Sequence, residues 1–291
     1  MACLLPAKFS PFPHRRLRLC FGMQFDQFRR RLRAVLRRAT RIAGLRHRSL
    51  SLVWHRRGSE SWLQALPQRA FAPPPLGRMS TIEAIAESIN RLGLQPLWEG
   101  YRAVYRNDPN VPFAQSSLAR TPDQVRSQAE IGCLFAWMAT MRRPQLIVEF
   151  GTAFGISAMY WAAGLDQAGT GRLLTFEPNE VWYSIAAKHL RDFSSRIDPI
   201  FGTFEEHIDD RMTPGEKIDI AFVDAIHTST FVTAQVELLV ARLAPGGIVV
   251  LDDISFSDDM RQCWTKLAAD PRVSASVAVE DRVGILEFRS G

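Results

Sequence analysis

Hydrophobic positions recur with two different periods along this chain, and each change of period marks an element. Over residues 25–43 the apolar positions Phe25, Phe28, Leu32, Val35, Leu36, Ala39 and Ile42 return every three or four residues. Arg29, Arg30, Arg33, Arg37, Arg38 and Arg41 fall mostly on the other face, which predicts a basic amphipathic helix. Pro73, Pro74, Pro75 and Gly77 make a linker of residues 67–78. Ile82, Ile85, Ala86, Ile89 and Leu92 then form an apolar stripe, opened by Ser80 and Glu83 at capping-box spacing and closed by Gly93. A further helix is predicted over 97–105. Another starts at Thr121-Pro122-Asp123 and is expected to run to 141 through Val125, Ala129, Leu134 and Trp137.

From residue 146 the period alternates. Short apolar runs at 146–150, 173–177, 197–201, 218–223 and 248–251 read as strands. Helical patterns at 156–165, 180–193, 204–211, 230–243 and 256–268 stand between and after them. Near-continuous apolar strands separated by helices imply a parallel sheet covered on both faces. The last two runs, 273–279 and 283–288, are joined by the turn at Glu280-Asp281, too short for a crossover, so they pair antiparallel. The expected fold is α/β: a Rossmann-like, seven-stranded, mostly parallel sheet with an antiparallel closing strand and helices on both faces. Three segments follow: a basic leader over 1–78, N-terminal helices over 79–143 that cap the sheet, and the sheet domain over 144–291.

Charge changes the view of the leader. Of the 291 residues, the first 80 hold 17 Lys and Arg against 2 Asp and Glu, while the remainder holds 19 against 28. The excess positive charge belongs to the leader, so a nucleic-acid argument from basicity does not extend to the body. The leader reads as an arm for a membrane surface or nucleic acid, as a partner-docking extension, or as a non-native stretch ahead of a true start at Met79. Cys3, Cys20, Cys133 and Cys263 are far apart, which points to reduced thiols in a cytoplasmic setting. No apolar run approaches the ~18 residues of a spanning helix.

Chemistry is expected at the carboxyl ends of the parallel strands. Those ends read Glu149-Phe150-Gly151, Glu177-Pro178-Asn179, Gly202-Thr203-Phe204, Asp224-Ala225-Ile226-His227 and Asp252-Asp253. Four of the five carry a carboxylate that buried strands do not need for folding. Gly151 and Gly155 bound a turn between strand and helix, letting backbone approach a ligand where a Cβ would collide. Glu177 follows Gly151 by 26 residues, near the spacing of ~20 at which an acid holds a ribose diol. The turn is one residue short of GxGxxG, so it suits a ligand with one ribose and no phosphate better than a dinucleotide.

With these motifs in place, residues 80–291 resemble the class I S-adenosylmethionine-dependent methyltransferases. The likeness is to the catechol and caffeoyl-coenzyme-A O-methyltransferases and to bacterial relatives from cephalosporin biosynthesis. It rests on Val-Glu-Phe-Gly-Thr-Ala-Phe-Gly (148–155), Thr-Phe-Glu-Pro (175–178), Ile-Ala-Phe-Val-Asp-Ala-Ile-His (220–227) and Leu-Ala-Pro-Gly-Gly-Ile-Val-Val-Leu-Asp-Asp (243–253). The resemblance implies that Glu149, Gly151, Thr152 and Gly155 line the methionine and sugar of the cofactor. Glu177 would hold the ribose hydroxyls, with Thr203 and Phe204 at the adenine. Asp224 would serve both cofactor and catalysis. Asp224, Asp252 and Asp253 fall on the positions that ligate Mg²⁺ or another divalent cation in metal-dependent members, where the third is often Asn. His227 stands where the catechol type has a Lys base. A hard cation on such oxygens lowers the pKa of a bound hydroxyl, and a neutral imidazole can take its proton. The implied partner is a small-molecule acceptor; association into a homodimer is left open.

Other readings stay on the page. Asp252-Asp253 also suits a helix cap, and Glu177 a helix start. Glu205, Glu206 and His207 have metal-like types on one short helix, where solvation is the simpler account. Trp161, Trp182 and Tyr183 suit packing as well as a cofactor wall, and Trp98, Tyr101 and Tyr105 would line the acceptor pocket if the first helices form a lid. A DNA amino-methyltransferase is disfavoured because Asp-Ala-Ile-His replaces the Asn/Asp-Pro-Pro-aromatic motif. An NAD oxidoreductase is disfavoured by the short turn. A non-catalytic protein of the same fold remains the alternative of another class.

Overall fold

A computed structural model of the chain describes residues 49–98, 100, 104 and 118–289. The amphipathic helix expected over 25–43 and most of the helix expected over 97–105 lie outside the described residues.

The chain joins the sheet earlier than its pattern indicates. Strand β1 (Leu50–Arg56) pairs antiparallel with the late strand at Val273–Val279, and β2 (Ala70–Phe71) pairs with β1. Between them, the 3₁₀ turn Trp62–Ala65 is held by a distant acid. Glu287 accepts hydrogen bonds from the Ser61 hydroxyl and from the amides of Trp62 and Leu63, the amide bonds at 3.0 Å. Arg56 caps backbone carbonyls of Ala269, Asp270 and Val273. The expected leader therefore does not run to residue 78: the compact unit begins at Arg48.

Helix α1 (Met79–Asn90) buries Met79, Ile82, Ala86 and Ile89, as its stripe predicts. Its expected capping box is not formed. The helix starts at Met79, and the N-cap position is Arg78, whose side chain makes no capping bond. Glu83 is used elsewhere: it takes both ends of the Arg126 guanidinium, at 3.1 and 2.9 Å, and the Tyr160 hydroxyl at 3.0 Å. This pair explains a second difference. The helix expected over 122–141 is two pieces, α2 (Pro122–Val125) and α3 (Ala129–Arg142), because the backbone at Arg126 is extended. The Thr121–Gln124 capping box is present at the start of α2. β3 (Gln95–Pro96) and β4 (Ala119–Arg120) form a separate two-stranded ribbon.

The alternating part follows its pattern closely. It runs β5 (Leu146–Phe150), α4 (Ile156–Ala168), β6 (Arg172–Glu177), α5 (Glu180–Phe193), β7 (Ile197–Phe201), α6 (Phe204–Arg211), β8 (Ile218–Val223), α7 (Ser229–Val240), β9 (Leu243–Leu251), α8 (Asp258–Ala268), β10 (Val273–Val279) and β11 (Val283–Phe288). All five residues of β5 are buried, which only a central strand can satisfy. The sheet order is β2-β1-β10-β11-β9-β8-β5-β6-β7. From β9 to β7 the pairs are parallel, and from β9 through β11, β10 and β1 to β2 they are antiparallel. The expectation of seven strands is corrected to nine in a mixed sheet. Without β1, apolar β10 would be an open edge with unpaired backbone groups, a template for aggregation. Among the described residues, no helix is long and apolar enough to cross a membrane.

A chain starting at Met79 should therefore be less stable than one starting at Arg48. Each hydrogen bond lost to the buried Glu287 carboxylate is worth roughly 1.5–3 kcal/mol. The expected readout is a fall in Tm on the order of 10 °C, with aggregation on gel filtration. Equal melting of the two chains would show that the edge strands add nothing.

Candidate functional site

Strand order reverses between β5 and β8: β6 and β7 lie to one side of β5, β8 and β9 to the other. A crevice opens at the carboxyl ends of strands at such a point. Here the two strand ends touch. The amide of Asp224 donates to the Phe150 carbonyl at 2.9 Å. Gly151 has φ +88°, and a Cβ on it would lie 1.9 Å from the Asp224 carbonyl oxygen. This glycine serves a contact between two strands, and it also lines the cavity above them. Gly155, at φ +80°, likewise faces the Leu190 side chain and caps α4.

Two adjoining cavities sit over this contact. The first, of about 290 Å³, is bounded by Gly151, Ala153, Glu177, Trp182, Thr203, Phe204, Asp224 and Gln235, among others. Glu177, at the end of β6, is only 4% exposed. Its Oε2 accepts from the Ala153 amide at 2.7 Å and its Oε1 from the Asn179 amide at 2.9 Å. It thereby holds the glycine turn at Ala153, whose φ of +46° is unusual for a residue with a Cβ. Burial pushes the Glu177 carboxyl up to about 7, against the pull of these two amides. Thr203 caps α6, and Phe204 packs on Phe150 with ring centres 4.0 Å apart. Thr203 and Phe204 thus serve the local fold and also line the cavity wall.

Glu149 and Thr152 do not line this cavity. They lie behind the turn, in a buried chain where Thr175 donates to Glu149 Oε2 at 2.5 Å and the Thr152 and Thr175 hydroxyls are 2.5 Å apart. Glu149 Oε1 is buried with no partner among the described residues. Burial pushes the Glu149 carboxyl up to about 7, while hydrogen bonds from Ser157 and Thr175 pull it down.

The second cavity, of about 280 Å³, shares Trp98, Ala153, Trp182, Asp224 and Ala225 with the first, and adds Arg120, His227, Asp252, Asp253, Phe256 and Arg282. Four residues that the sequence singled out meet here: Asp224, His227, Asp252 and Asp253. His227 Nε2 is 3.6 Å from Asp253 and 3.9 Å from Asp224. The acids, however, already have a cation. Arg282 Nη2 is 2.8 Å from Asp252 Oδ2, and Nε is 3.1 Å from Asp252 Oδ1 and 3.2 Å from Asp253 Oδ1. Burial, then Asp252 and Asp253, raise the Asp224 carboxyl well above the usual range, with Arg282 opposing. Burial and Asp252 raise Asp253 as well. This donor set does not fit the expected Mg²⁺: both oxygens of Asp252 are committed to a guanidinium. Among the described residues no group of three or more His, Cys, Asp or Glu is arranged to hold a metal ion.

Residues 148–254 match the family model of the methyltransferase domain. The expected cofactor, metal and catalytic residues, from Glu149 to Asp253, fall inside that span. That match agrees with the resemblance to class I S-adenosylmethionine-dependent methyltransferases over this span. The chain is 29% identical over 170 residues to a ribosomal protein L11 methyltransferase of Syntrophotalea carbinolica, covering 57% of this chain and 50% of that protein. It thus spans about half the length of that curated relative. Two solved structures share the fold. Cofactor-bound Rv0187 from MTB has a TM-score of 0.53 at 16% identity, over 72% of this chain and 91% of that one. A candidate O-methyltransferase from Klebsiella pneumoniae has a TM-score of 0.52 at 18% identity, over 78% and 94%.

Two side chains of the cavities, Arg282 and Gln235, escaped the sequence reading of the site. Arg282 lies beyond the methyltransferase domain's span and in no motif. Gln235 is in mid-α7, buried, with Oε1 unpartnered. Trp182, which the sequence offered as packing or as a cofactor wall, lines both cavities, and its Nε1 is buried with no partner among the described residues. Buried orphan polar atoms on a cavity wall are expected to meet a ligand.

The two raised carboxyls have a consequence for stability. Burial holds the Glu149 and Glu177 carboxyls at about 7 in the folded chain, against about 4.5 in the unfolded chain, so the folded state binds more protons between those values. Stability should therefore fall as pH rises from about 4.5 through 7, by on the order of 3 kcal/mol for each group. Glu149→Gln, which cannot ionise, should flatten this fall and raise Tm at pH 8. A thermal melt series from pH 5 to 8 measures it; an unchanged slope would refute the assignment.

Proposed function

We propose that this protein is an S-adenosylmethionine-dependent methyltransferase that methylates a hydroxyl of a small molecule. The observation that carries the reading is Glu177: a buried carboxylate at the end of β6, on the wall of a cavity closed by the glycine turn. The methyltransferase domain over 148–254 supports the cofactor, and the structural neighbours described above support the fold.

The cofactor's nucleoside would take the first cavity. Glu177 accepts from the ribose hydroxyls, Phe204 and Trp182 give the adenine an apolar wall, and Gln235 Oε1 offers an acceptor for an exocyclic amine. When bound, S-adenosylmethionine supplies an electrophilic methyl on a sulfonium. The acceptor would take the second cavity, against His227. His227 Nε2 removes the proton from the acceptor hydroxyl, and Asp253 and Asp224 stabilise the resulting imidazolium. Fixing two reactants in adjoining cavities with a common wall contributes alignment, a large part of the acceleration expected of such a site. No step is assigned to a divalent ion. A protein acceptor is the second reading, favoured by the name of the curated relative; the modest second cavity favours a small molecule.

Isothermal titration with S-adenosylhomocysteine tests the cofactor assignment. Glu177→Ala should weaken binding by roughly 10- to 100-fold, the worth of one or two hydrogen bonds to a charged group. Ribose donors favour the ionised carboxylate, so affinity for the unsubstituted protein should rise with pH through about 7. Unchanged affinity in Glu177→Ala would remove the ribose role. Separately, His227→Ala should lower kcat by about 10²–10⁴ on any hydroxyl acceptor found by screening, while leaving S-adenosylhomocysteine affinity as it was. Full activity of that variant would rule out the base.

A further inference from the structure

The acid cluster of the second cavity is where the chain departs from the metal set that the resemblance implies. Asp252 is 3% exposed and Asp253 lies beside it at φ +51°, in the left-handed region. Two carboxylates in such a position need a counter-cation. A divalent ion would need at least one open oxygen from Asp252, but Arg282 grips both in a forked, side-on pair. Its Nε also faces Asp253 at 3.2 Å.

Arg282 is held where it stands. It closes the loop between β10 and β11, after Glu280 and Asp281, which both have φ near +50°. Its amide donates to the Val279 carbonyl at 3.0 Å, and its carbonyl accepts from the Ile254 amide at 2.9 Å. The second bond ties the loop directly to the segment carrying Asp252 and Asp253. The guanidinium thus belongs to the backbone frame of the site, and it lines the second cavity. Its Nη1 makes no hydrogen bond among the described residues, so it keeps N–H donors for an occupant of that cavity.

We propose that Arg282 replaces the divalent cation of this site: it is the built-in counter-charge of Asp252 and Asp253, and through Nη1 it binds the oxygen of the methyl acceptor. The proposal rests on the methyltransferase reading for the identity of the occupant, but not for the absence of a metal requirement. It assigns Arg282 a positioning role toward Asp252 and Asp253 and a binding role toward the acceptor oxygen. A guanidinium cannot be removed by a chelator, and it does not lose its charge near neutral pH.

The test is Mn²⁺ binding, followed by electron paramagnetic resonance, on the full chain and on Arg282→Met. The unsubstituted protein should show no saturable Mn²⁺ site up to millimolar concentrations. Arg282→Met, which frees the carboxylates of Asp252 and Asp253 beside Asp224, should bind Mn²⁺ at least 10-fold more tightly. Titration of S-adenosylhomocysteine in EDTA runs in parallel. Saturable micromolar Mn²⁺ binding by the unsubstituted protein overturns the proposal, as does loss of S-adenosylhomocysteine binding in EDTA that Mn²⁺ restores. If Arg282→Met does not fold, Arg282→Met with Asp252→Asn removes the uncompensated charge and should fold with Tm recovered; failure of that pair to recover also counts against the clamp. Absence of S-adenosylhomocysteine binding under every condition would defeat the cofactor reading alone, while the Mn²⁺ titration would still judge Arg282.

Discussion

The structure depends on one close approach, that of Gly151 to the carbonyl of Asp224. The ends of β5 and β8 meet at the point where strand order reverses, with no room for a Cβ between them. That contact sets the two strands level, and the register follows, with Phe150 opposite Val223. Because the ends are level, Glu177 on one neighbour and Asp224 on the other face the same crevice. A larger residue at 151 would push the strands apart and misplace both cavities at once, which is why the glycine turn is the geometric origin of the site although it need not touch a ligand.

Around that contact the fold concentrates negative charge where solvent is scarce. Glu149 and Glu177 are buried and their carboxyls are raised. Asp224, Asp252 and Asp253 form a second group that repels itself. Each group is balanced differently. Glu177 is met by backbone amides, which also keep Ala153 in its left-handed conformation. Asp252 and Asp253 are met by a guanidinium from the far end of the chain.

The same long-range logic governs the edge of the sheet. Glu287 on β11 holds the 3₁₀ turn at residues 61–63, and Arg56 on β1 holds the end of α8. Residues 50–71 are therefore part of the sheet that carries Arg282, since β1 lies against β10 and β10 leads into the Arg282 loop. The segment that composition alone assigns to a leader thus supports the far wall of the second cavity.

Much of this was legible in the sequence. Strands β5 to β9 are uninterrupted apolar runs, and an acid at the end of such a run has few places to go but a crevice. Those features depend on neighbours within a few residues, so Glu177, Asp224, His227, Asp252 and Asp253 could be found from pattern and spacing. The sequence could not show what each acid would pair with. Ser80 and Glu83 have capping-box spacing, yet Glu83 pairs with Arg126 because the fold brings that guanidinium closer than the helix start. Asp252 and Asp253 stand where the resemblance implies a metal, yet Arg282, 29 residues beyond Asp253, pairs with them. Local periodicity determined the elements and the strand ends. The choice of counter-ion was left to tertiary structure, because electrostatic pairing depends on distance in space and carries no period along the chain.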